Sequence, residues 1–301
     1  MKRRSGKYIR TWGEILFDIL NPLVLTLFCI SIIYPFWDMV VTSLSAPADV
    51  SYTSFNFWPK KVVTQGYSYC LNDEKFYLAF RNSIARTVAG TALSVFVTSI
   101  GAYVLTRRDM PLRKLITFIW VVPMFFGGGL VPTYLLYQDL GLLDNFLVYI
   151  LPGAFSMYSA IIVRNFFFSI DIALEESAVI DGASAPRVLF SIYLPLSKPA
   201  LATISLWSMV GHWNAWFDNM VYIRKEPLIT LQYLLRRIIK ETEAVTDQAM
   251  AWAGSIDMRL MVNATTIIAA TTIITVIPIL LVYPFLQRYF VKGIMVGSVK
   301  G

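Results

Sequence analysis

One short stretch of this 301-residue sequence combines hydrogen-bonding and aromatic side chains in a way that suits sugar binding. It reads HWNAWFDN and contains His212, Trp213, Asn214, Trp216, Asp218 and Asn219. Amide and carboxylate groups can hydrogen-bond the hydroxyls of a sugar, and aromatic rings can cover its apolar C–H faces. The same residues could instead form an interfacial aromatic belt with polar contacts between helices. Both interpretations, a substrate pathway and a structural role, stay open at this point.

A second stretch, EESAVIDGASAPRVLFSIYLP at 175–195, places charges and glycine between two apolar regions. Ser169 or Asp171 can cap a first helix, and Gly182 suits the position just past its end. A second helix follows, and Pro195 is expected to stop it. The pattern therefore predicts a helix, a turn and a helix. They form either a surface that another protein approaches closely or an ordinary solvated loop.

The whole chain is too apolar for a soluble protein. Hydrophobic residues make up 56% and charged residues 15% of it, with a mean hydropathy of +0.60, whereas soluble domains carry about 25% charge. Since about 20 mostly apolar residues cross a bilayer, the sequence predicts an all-α membrane protein with six transmembrane helices. The predicted spans cover residues 19–42, 83–105, 115–137, 146–163, 200–223 and 262–286.

The third predicted span contains residues that interrupt helical hydrogen bonding, namely Pro123, Gly127, Gly128, Gly129 and Pro132. Irregular backbone at membrane depth is tolerated where protein or a water-filled cavity satisfies it. We therefore expect a cavity or a tight helix contact here, which adds the three glycines to the candidate substrate pathway. A simple kink is the alternative.

The distribution of Lys and Arg predicts the orientation of the spans. The first ten residues carry five bases and no acid, and the loop between spans two and three carries four bases and one acid. Because basic flanks stay on the cytoplasmic side, the segment 1–18 and the tail 287–301 are predicted to be cytoplasmic. Within the transmembrane domain 19–301, the loop 164–199 is then cytoplasmic and the loop 224–261 lies outside. The net charge of +7 reflects this topology and requires no nucleic-acid partner.

The sequence offers little for catalysis. It lacks a G-x-x-x-x-G-K-[ST] phosphate loop, and its single histidine and scattered acids form no metal or nucleophile set. Cys29 falls in the first predicted span and Cys70 in an outer loop, so we expect no disulfide between them. We expect neither enzymatic activity nor a metal or cofactor bound by this chain.

The loop 175–195 resembles a loop of the permease subunits of bacterial ABC importers. Their loop carries Glu-Ala-Ala, three residues, Gly, nine residues, Ile, one residue and Leu-Pro before the penultimate span. Every interval is kept here, with Ser177 in place of the first Ala. EESAVIDGAS and LPLSKPALATI are similar to the second permease subunit of maltose-type importers. FFGGGLVPTYLLYQDLGLLDN, GHWNAWF and VKGIMVGSVKG resemble a subgroup that imports complex oligosaccharides, including alginate- and pectin-derived chains.

The resemblance implies a type I ABC importer permease fold in the bacterial cytoplasmic (inner) membrane. It implies as partners a second homologous permease, a cytoplasmic ATPase dimer that holds ATP and magnesium, an extracytoplasmic solute-binding protein, the oligosaccharide and the surrounding lipid. The tail would reach the ATPase interface. The implied ATPase-coupling residues are Glu175, Glu176, Ser177, Ala178, Asp181, Gly182, Ala183, Ile192, Leu194 and Pro195. Glu176 would anchor the loop internally or contact a basic residue of the ATPase.

Rival classes remain at this point. A secondary transporter or channel would carry intramembrane carboxylates or an inverted repeat, and only Asp218 lies deep enough in the predicted spans. An ABC importer for another solute, such as peptides, is the other alternative.

The outer loop contains LQYLLRRIIKE at 231–241, which has an apolar stripe and a basic face. The stripe would pack on the transporter, and in the resembling family this loop can contact the binding protein. The basic face, Arg236, Arg237 and Lys240, would suit an acidic sugar or be solvated.

Overall fold

A computed structural model of the protein describes residues 11–46, 49–50, 56–107, 109–251, 265–282 and 284. At residues 242, 243 and 245–251 it describes the backbone only. Regular structure in these ranges is helical, apart from an isolated antiparallel bridge between Ser45 and Val62. The helical class predicted from the sequence is therefore confirmed for the described part of the chain.

The α-helices in the described ranges are α1 (Trp12–Ser43), α2 (Gln65–Asn72), α3 (Glu74–Thr106), α4 (Arg113–Val121), α5 (Leu130–Asp139), α6 (Met157–Phe168), α7 (Ile172–Ile180), α8 (Ala185–Val188), α9 (Leu194–Leu196), α10 (Lys198–Asn214), α11 (Phe217–Tyr222), α12 (Leu231–Ala251) and α13 (Thr265–Val282). Short 3-10 turns lie at Val122–Met124, Phe146–Tyr149 and Glu226–Leu228, and a π-helical turn lies at Leu189–Tyr193.

One compact unit comprises residues 1–70 and 249–273. The Thr11 side chain caps α1 in a capping box with Glu14, and the apolar flank of this helix is exposed along most of its length. Gly66 of α2 lies against α13, where an added Cβ would come within 2.9 Å of the Thr266 carbonyl oxygen. A side chain at position 66 would therefore push these two segments apart.

The other unit comprises residues 71–248 and 274–301. In it, α3 packs along α10 and α6. The core contains fully buried small and apolar residues of α3 and α6, among them Ala102, Leu105, Ala160 and Val163. Small side chains let the helices approach closely, which is how helices associate where lipid removes the hydrophobic driving force.

The predicted count of six spans is reproduced only in part. By length and composition, α1, α3 and α13 could cross a membrane, and counting each bent helix pair as one span gives up to five in the described ranges. One such pair is α6 with α7, bent by 79°, and the other is Ala185–Leu196 with α10, bent by 85°. The third to fifth predicted spans are interrupted, so none of them is one continuous helix.

The break in the third predicted span lies at the position that its glycines and prolines predict. After α4 and its 3-10 turn, residues 125–129 are not helical, and Gly129 has a φ of +82° before α5 begins. An added Cβ at Gly127 would meet no atom within 4 Å. No described atom therefore requires glycine at position 127, whereas the left-handed φ of Gly129 favours glycine there.

Candidate functional site

The predicted helix–turn–helix at 172–196 is present. Asp171 caps α7, because its Oδ1 accepts a hydrogen bond of 3.0 Å from the backbone N–H of Ala173. The helix ends at Ile180, and Gly182 has a φ of +82°, a left-handed conformation that favours glycine. Both ends of α7 thus follow from local sequence signals.

The second helix of the loop differs from the prediction at its end. It continues through Pro195 to Leu196 and turns at Ser197, so Pro195 does not stop it. The π-helical turn at Leu189–Tyr193 precedes Pro195, and this turn shifts the hydrogen-bond pattern just where proline contributes no N–H. The bend to α10 follows at once.

The structure divides the predicted coupling residues into two sets. Four apolar residues pack against the core formed by α3, α6 and α10, namely Ala178, Ala183, Ile192 and Leu194. Five lie exposed on the outer side of the loop, namely Glu176, Ser177, Asp181, Gly182 and Pro195. The spacing of the loop motif therefore places one set of residues against the core and the other set on the exposed surface.

Glu175 belongs to neither set, because its carboxylate ties the loop to the end of α3. It forms an ion pair with Arg107 and accepts a hydrogen bond of 2.5 Å from the Tyr193 hydroxyl. Burial and this hydrogen bond raise the pKa of Tyr193 above its ordinary value, with the charge of Glu175 adding to the effect. Arg107 and Tyr193 were missed at the sequence level. The basic flank at 107–114 was noticed only as an indicator of orientation.

An open cavity of about 600 Å³ lies between α7 and the ends of α3 and α6. Arg107, Glu175 and Tyr193 line it together with apolar side chains, and Glu176 lies on its wall. Near it, Val179 and Ile180 of α7 expose large apolar surface, with Ile180 85% exposed. An exposed apolar patch beside an acidic group is typical of a surface that another protein covers.

In the predicted fifth span, Asp218 forms a bidentate ion pair with Arg86 of α3. Arg86 also donates to the Ala215 carbonyl at 3.2 Å and lies 4.7 Å over the ring of Tyr149. Asp218, the one carboxylate that the sequence places deep in the predicted spans, therefore has a basic partner in Arg86 that the sequence analysis did not identify. A lone arginine inside the second predicted span was the signal, because an intramembrane charge implies a partner.

Four more residues of this stretch have structural contacts. Trp213 is buried, with its Nε1 donating to the Thr275 carbonyl at 3.0 Å. Asn219 is fully buried, and its Oδ1 accepts 2.7 Å and 3.1 Å hydrogen bonds from the N–H and hydroxyl of Thr230. The remaining contacts are a 3.3 Å hydrogen bond from Gln232 to Asn214 and the stacking of Arg236 on Trp216.

His212 is a predicted pathway residue that lines a cavity with a polar wall. Its imidazole fits between two glycines, since an added Cβ would lie 2.5 Å from it at Gly90 and 3.5 Å from it at Gly153. The cavity holds about 450 Å³ and is lined largely by serine side chains from α3, α6 and α10. The structure thus separates His212 from its neighbours in the sequence stretch.

The amphipathic pattern of the outer loop is confirmed in α12, where Leu231 and Leu234 are buried. Its basic face is partly engaged within the chain. Arg237 pairs with Glu226 at 2.8 Å, and Arg236 lies 3.9 Å from the ring centroid of Trp216. Of the three bases, Arg237 therefore has its charge compensated by Glu226, while Arg236 and Lys240 remain exposed.

Comparison with known proteins places these features in a family. Residues 90–217 match the model of the family described as "Binding-protein-dependent transport system inner membrane component". The chain is 38% identical over 287 residues to the polygalacturonan/rhamnogalacturonan transport system permease protein YtcP of Bacillus subtilis (strain 168), covering 95% of this chain and 99% of that one. It is 37% identical to the protein LplC of the same organism, covering 95% of each.

A solved structure is similar over nearly the whole chain. It is that of a bacterial ABC transporter involved in the import of the acidic polysaccharide alginate, with a TM-score of 0.82, 32% identity and coverage of 94% of this chain and 100% of that one. An alginate transporter in complex with an alginate pentasaccharide-bound periplasmic protein matches with a TM-score of 0.56 and 14% identity, which supports the fold alone.

Proposed function

As a member of the binding-protein-dependent transport system inner membrane components, this chain is a permease subunit of an ABC importer, and we propose that its solute is an oligosaccharide. The observation that carries the proposal is the similarity over nearly the full length to a permease named for polygalacturonan and rhamnogalacturonan transport. The solute would cross by alternating access, in which the helices open to one side of the membrane at a time.

The loop 171–195 would couple this movement to a separate ATPase. Glu175 is engaged within the chain, so of the two adjacent glutamates the exposed Glu176 is the one available to a basic residue of the ATPase. Ser177, Asp181, Gly182 and Pro195 would line the contact. Ala178, Ala183, Ile192 and Leu194 would transmit the displacement, because they pack against the core.

The proposed assembly contains this permease, a second homologous permease, an ATPase dimer and a solute-binding protein outside. ATP and magnesium would bind to the ATPase, which supplies the hydrolysis. We further propose six membrane crossings with both termini in the cytoplasm. The basic flanks of the sequence support that orientation, and the broken helices at 113–139 and 198–222 would supply two of the proposed crossings.

An acidic oligosaccharide is the preferred solute within this proposal. Two similar proteins are named for the transport of polygalacturonan and of alginate, which are both acidic. Among the pathway residues predicted from the sequence, His212 keeps that role, while the contacts of Trp213, Asn214 and Asp218 favour a structural one. Trp216 and Asn219 join the structural group, and the exposed Gly127–129 segment would provide backbone freedom.

ATPase activity of the importer reconstituted in lipid vesicles tests the proposal. The panel contains oligogalacturonides, rhamnogalacturonan fragments, an alginate pentasaccharide and neutral raffinose, each with the solute-binding protein. We expect an acidic sugar to stimulate hydrolysis and uptake in the parent. Hydrolysis that no panel sugar stimulates would contradict the oligosaccharide proposal.

Two variants test the coupling role, and a third is the control. Glu176→Gln and Gly182→Ala should each reduce stimulated hydrolysis at least about tenfold while the subunits stay assembled. Arg187→Gln removes an exposed charge from the same loop and should leave hydrolysis unchanged. Stimulated hydrolysis at the level of the parent in all three variants would contradict the coupling role of the loop.

A further inference from the structure

The cavity beside His212 has an unusual lining for a membrane helix bundle. It holds about 450 Å³, within the range of about 300–1,000 Å³ typical of ligand pockets. Ser94 of α3, Ser159 of α6 and Ser208 of α10 line it, and Ser156 lies at the start of α6. Three helices thus direct hydroxyl groups into one space.

Three of these hydroxyls have no hydrogen-bond partner among the described residues. Ser94 is only 7% exposed, and neither its hydroxyl nor those of Ser159 and Ser208 bond to another group in that part of the chain. Ser156 differs, because its Oγ accepts a 3.3 Å hydrogen bond from the Ser159 backbone N–H as the cap of α6. Ser159 and Ser208 are partly exposed, and all three side chains line the open cavity, so their hydroxyls are available to water or a polar ligand.

Two aromatic rings form the rim of the same cavity. Tyr158 and Trp207 lie with their ring centroids 5.9 Å apart and their planes inclined by 32°, and both side chains are about half exposed. Aromatic faces beside hydroxyl groups match a sugar ring, which has apolar C–H faces and a polar rim. His212 adds a ring nitrogen that can donate or accept.

We infer that this cavity binds one sugar ring of the transported oligosaccharide, with its hydroxyls on Ser94, Ser159 and Ser208 and a C–H face against Tyr158 and Trp207. The inference rests on the proposed function and adds a contact site within it. Direct sugar contact by this chain would make it part of the translocation path.

Uptake into vesicles tests the site with a triple variant, Ser94→Ala, Ser159→Ala and Ser208→Ala. Ser156 stays intact, so the cap of α6 is preserved. The probe is a labelled oligogalacturonide. Because each lost hydrogen bond weakens an interaction by about two- to tenfold, we expect uptake to fall at least about tenfold while hydrolysis stimulated by the loaded binding protein persists.

Ser205→Ala is the control, because Ser205 lies on the same helix but lines a different cavity. This variant should take up sugar like the parent. Parental uptake by the triple variant would overturn the inference.

Thiol labelling gives a second readout that does not depend on transport rates. In a chain with Cys29→Ser and Cys70→Ser, Ser208→Cys should react with a charged methanethiosulfonate reagent, and the oligogalacturonide should slow the reaction at least about fivefold. Ser205→Cys should show no protection by sugar. A Ser208→Cys thiol that reacts in no nucleotide state, or equally with and without sugar, would overturn the site. If the parent transports no panel sugar, the proposed function itself fails.

Discussion

Two arginine–carboxylate pairs on one helix differ in burial and in the segments they join. Arg86 and the capping residue Arg107 of α3 are 21 positions apart, which corresponds to about 30 Å along the helix. The side chains of Arg86 and Asp218 are 4% and 24% exposed. Those of Arg107 and Glu175 are 36% and 16% exposed. The first pair joins α3 to the segment around α11, and the second joins it to α7.

The difference indicates different tasks. A buried arginine that loses its carboxylate keeps an uncompensated charge, so the Arg86 pair resists separation. The Arg107 pair is partly solvated and screened, so it can break and re-form at small cost. Such a contact suits the proposed movement of this loop with an ATPase, whereas the Arg86 pair suits a part of the permease that stays assembled.

Removal of the buried carboxylate should have the largest effect. We expect Asp218→Asn to destabilise the permease by about 3–5 kcal/mol, because Arg86 remains buried without an anion. Thermal unfolding in detergent measures the change. The double variant Arg86→Met with Asp218→Leu should lose much less. A single variant as stable as the parent would refute the structural role.

The pair between Arg107 and Glu175, whose arginine is partly solvated, should respond more weakly. Glu175→Gln is expected to cost at most about 1 kcal/mol after solvent screening, and Glu176→Gln should change stability by less than about 0.5 kcal/mol because it is exposed. Their order should reverse in stimulated ATPase activity, where Glu176→Gln has the greater effect. Parallel unfolding and ATPase assays measure both. Equal effects of the two variants in both assays would remove the distinction between anchor and contact.

High pH should reduce the contribution of the Tyr193–Glu175 hydrogen bond to stability. The pKa of Tyr193 is raised, so the folded state retains the tyrosine proton to higher pH than the unfolded state. Its contribution to stability is therefore full below pH of about 10, the ordinary tyrosine pKa, and is lost as the pH rises above it. Comparing unfolding midpoints of the parent and Tyr193→Phe at pH 8 and pH 11 tests this. The gap should shrink at pH 11, and a gap that widens would contradict the assignment.

The surface pair between Glu226 and Arg237 should give the smallest effect. Glu226 is 53% exposed where it meets Arg237. We expect Glu226→Gln to change stability by less than about 0.5 kcal/mol, because exposed pairs gain little in water. Unfolding in low and high salt measures it. A loss of stability near that of Asp218→Asn would show that burial does not determine how much each ion pair contributes to stability.

The sequence predicted the features that depend on neighbouring residues. Asp171 and Gly182 set the ends of α7 through local capping, and the glycines at 127–129 marked a break in the helix. Composition was sufficient to recognise a membrane protein. The intervals of the loop at 175–195 indicated the family.

Contacts between distant segments could not be predicted from the sequence. The partner of Asp218 lies 132 positions away at Arg86, and no local spacing relates them. Likewise, the sequence did not distinguish Glu175 from Glu176, because only the packing of α3 against the loop turns one inward. The serine cavity also required three helices to be placed together.

The π-helical turn at Leu189–Tyr193 makes this loop sensitive to chain length as well as to side-chain chemistry. A π-turn holds one residue more than the α-helical turn it replaces, and each residue of an α-helix rotates the next by about 100°. Deleting one residue before Tyr193 could restore regular helix, but it would turn the Tyr193 hydroxyl away from Glu175. The nine positions between Gly182 and Ile192 thus fix the rotation of Tyr193 relative to α7. Shortening this segment by one residue would break the hydrogen bond between Tyr193 and Glu175 while both side chains are kept.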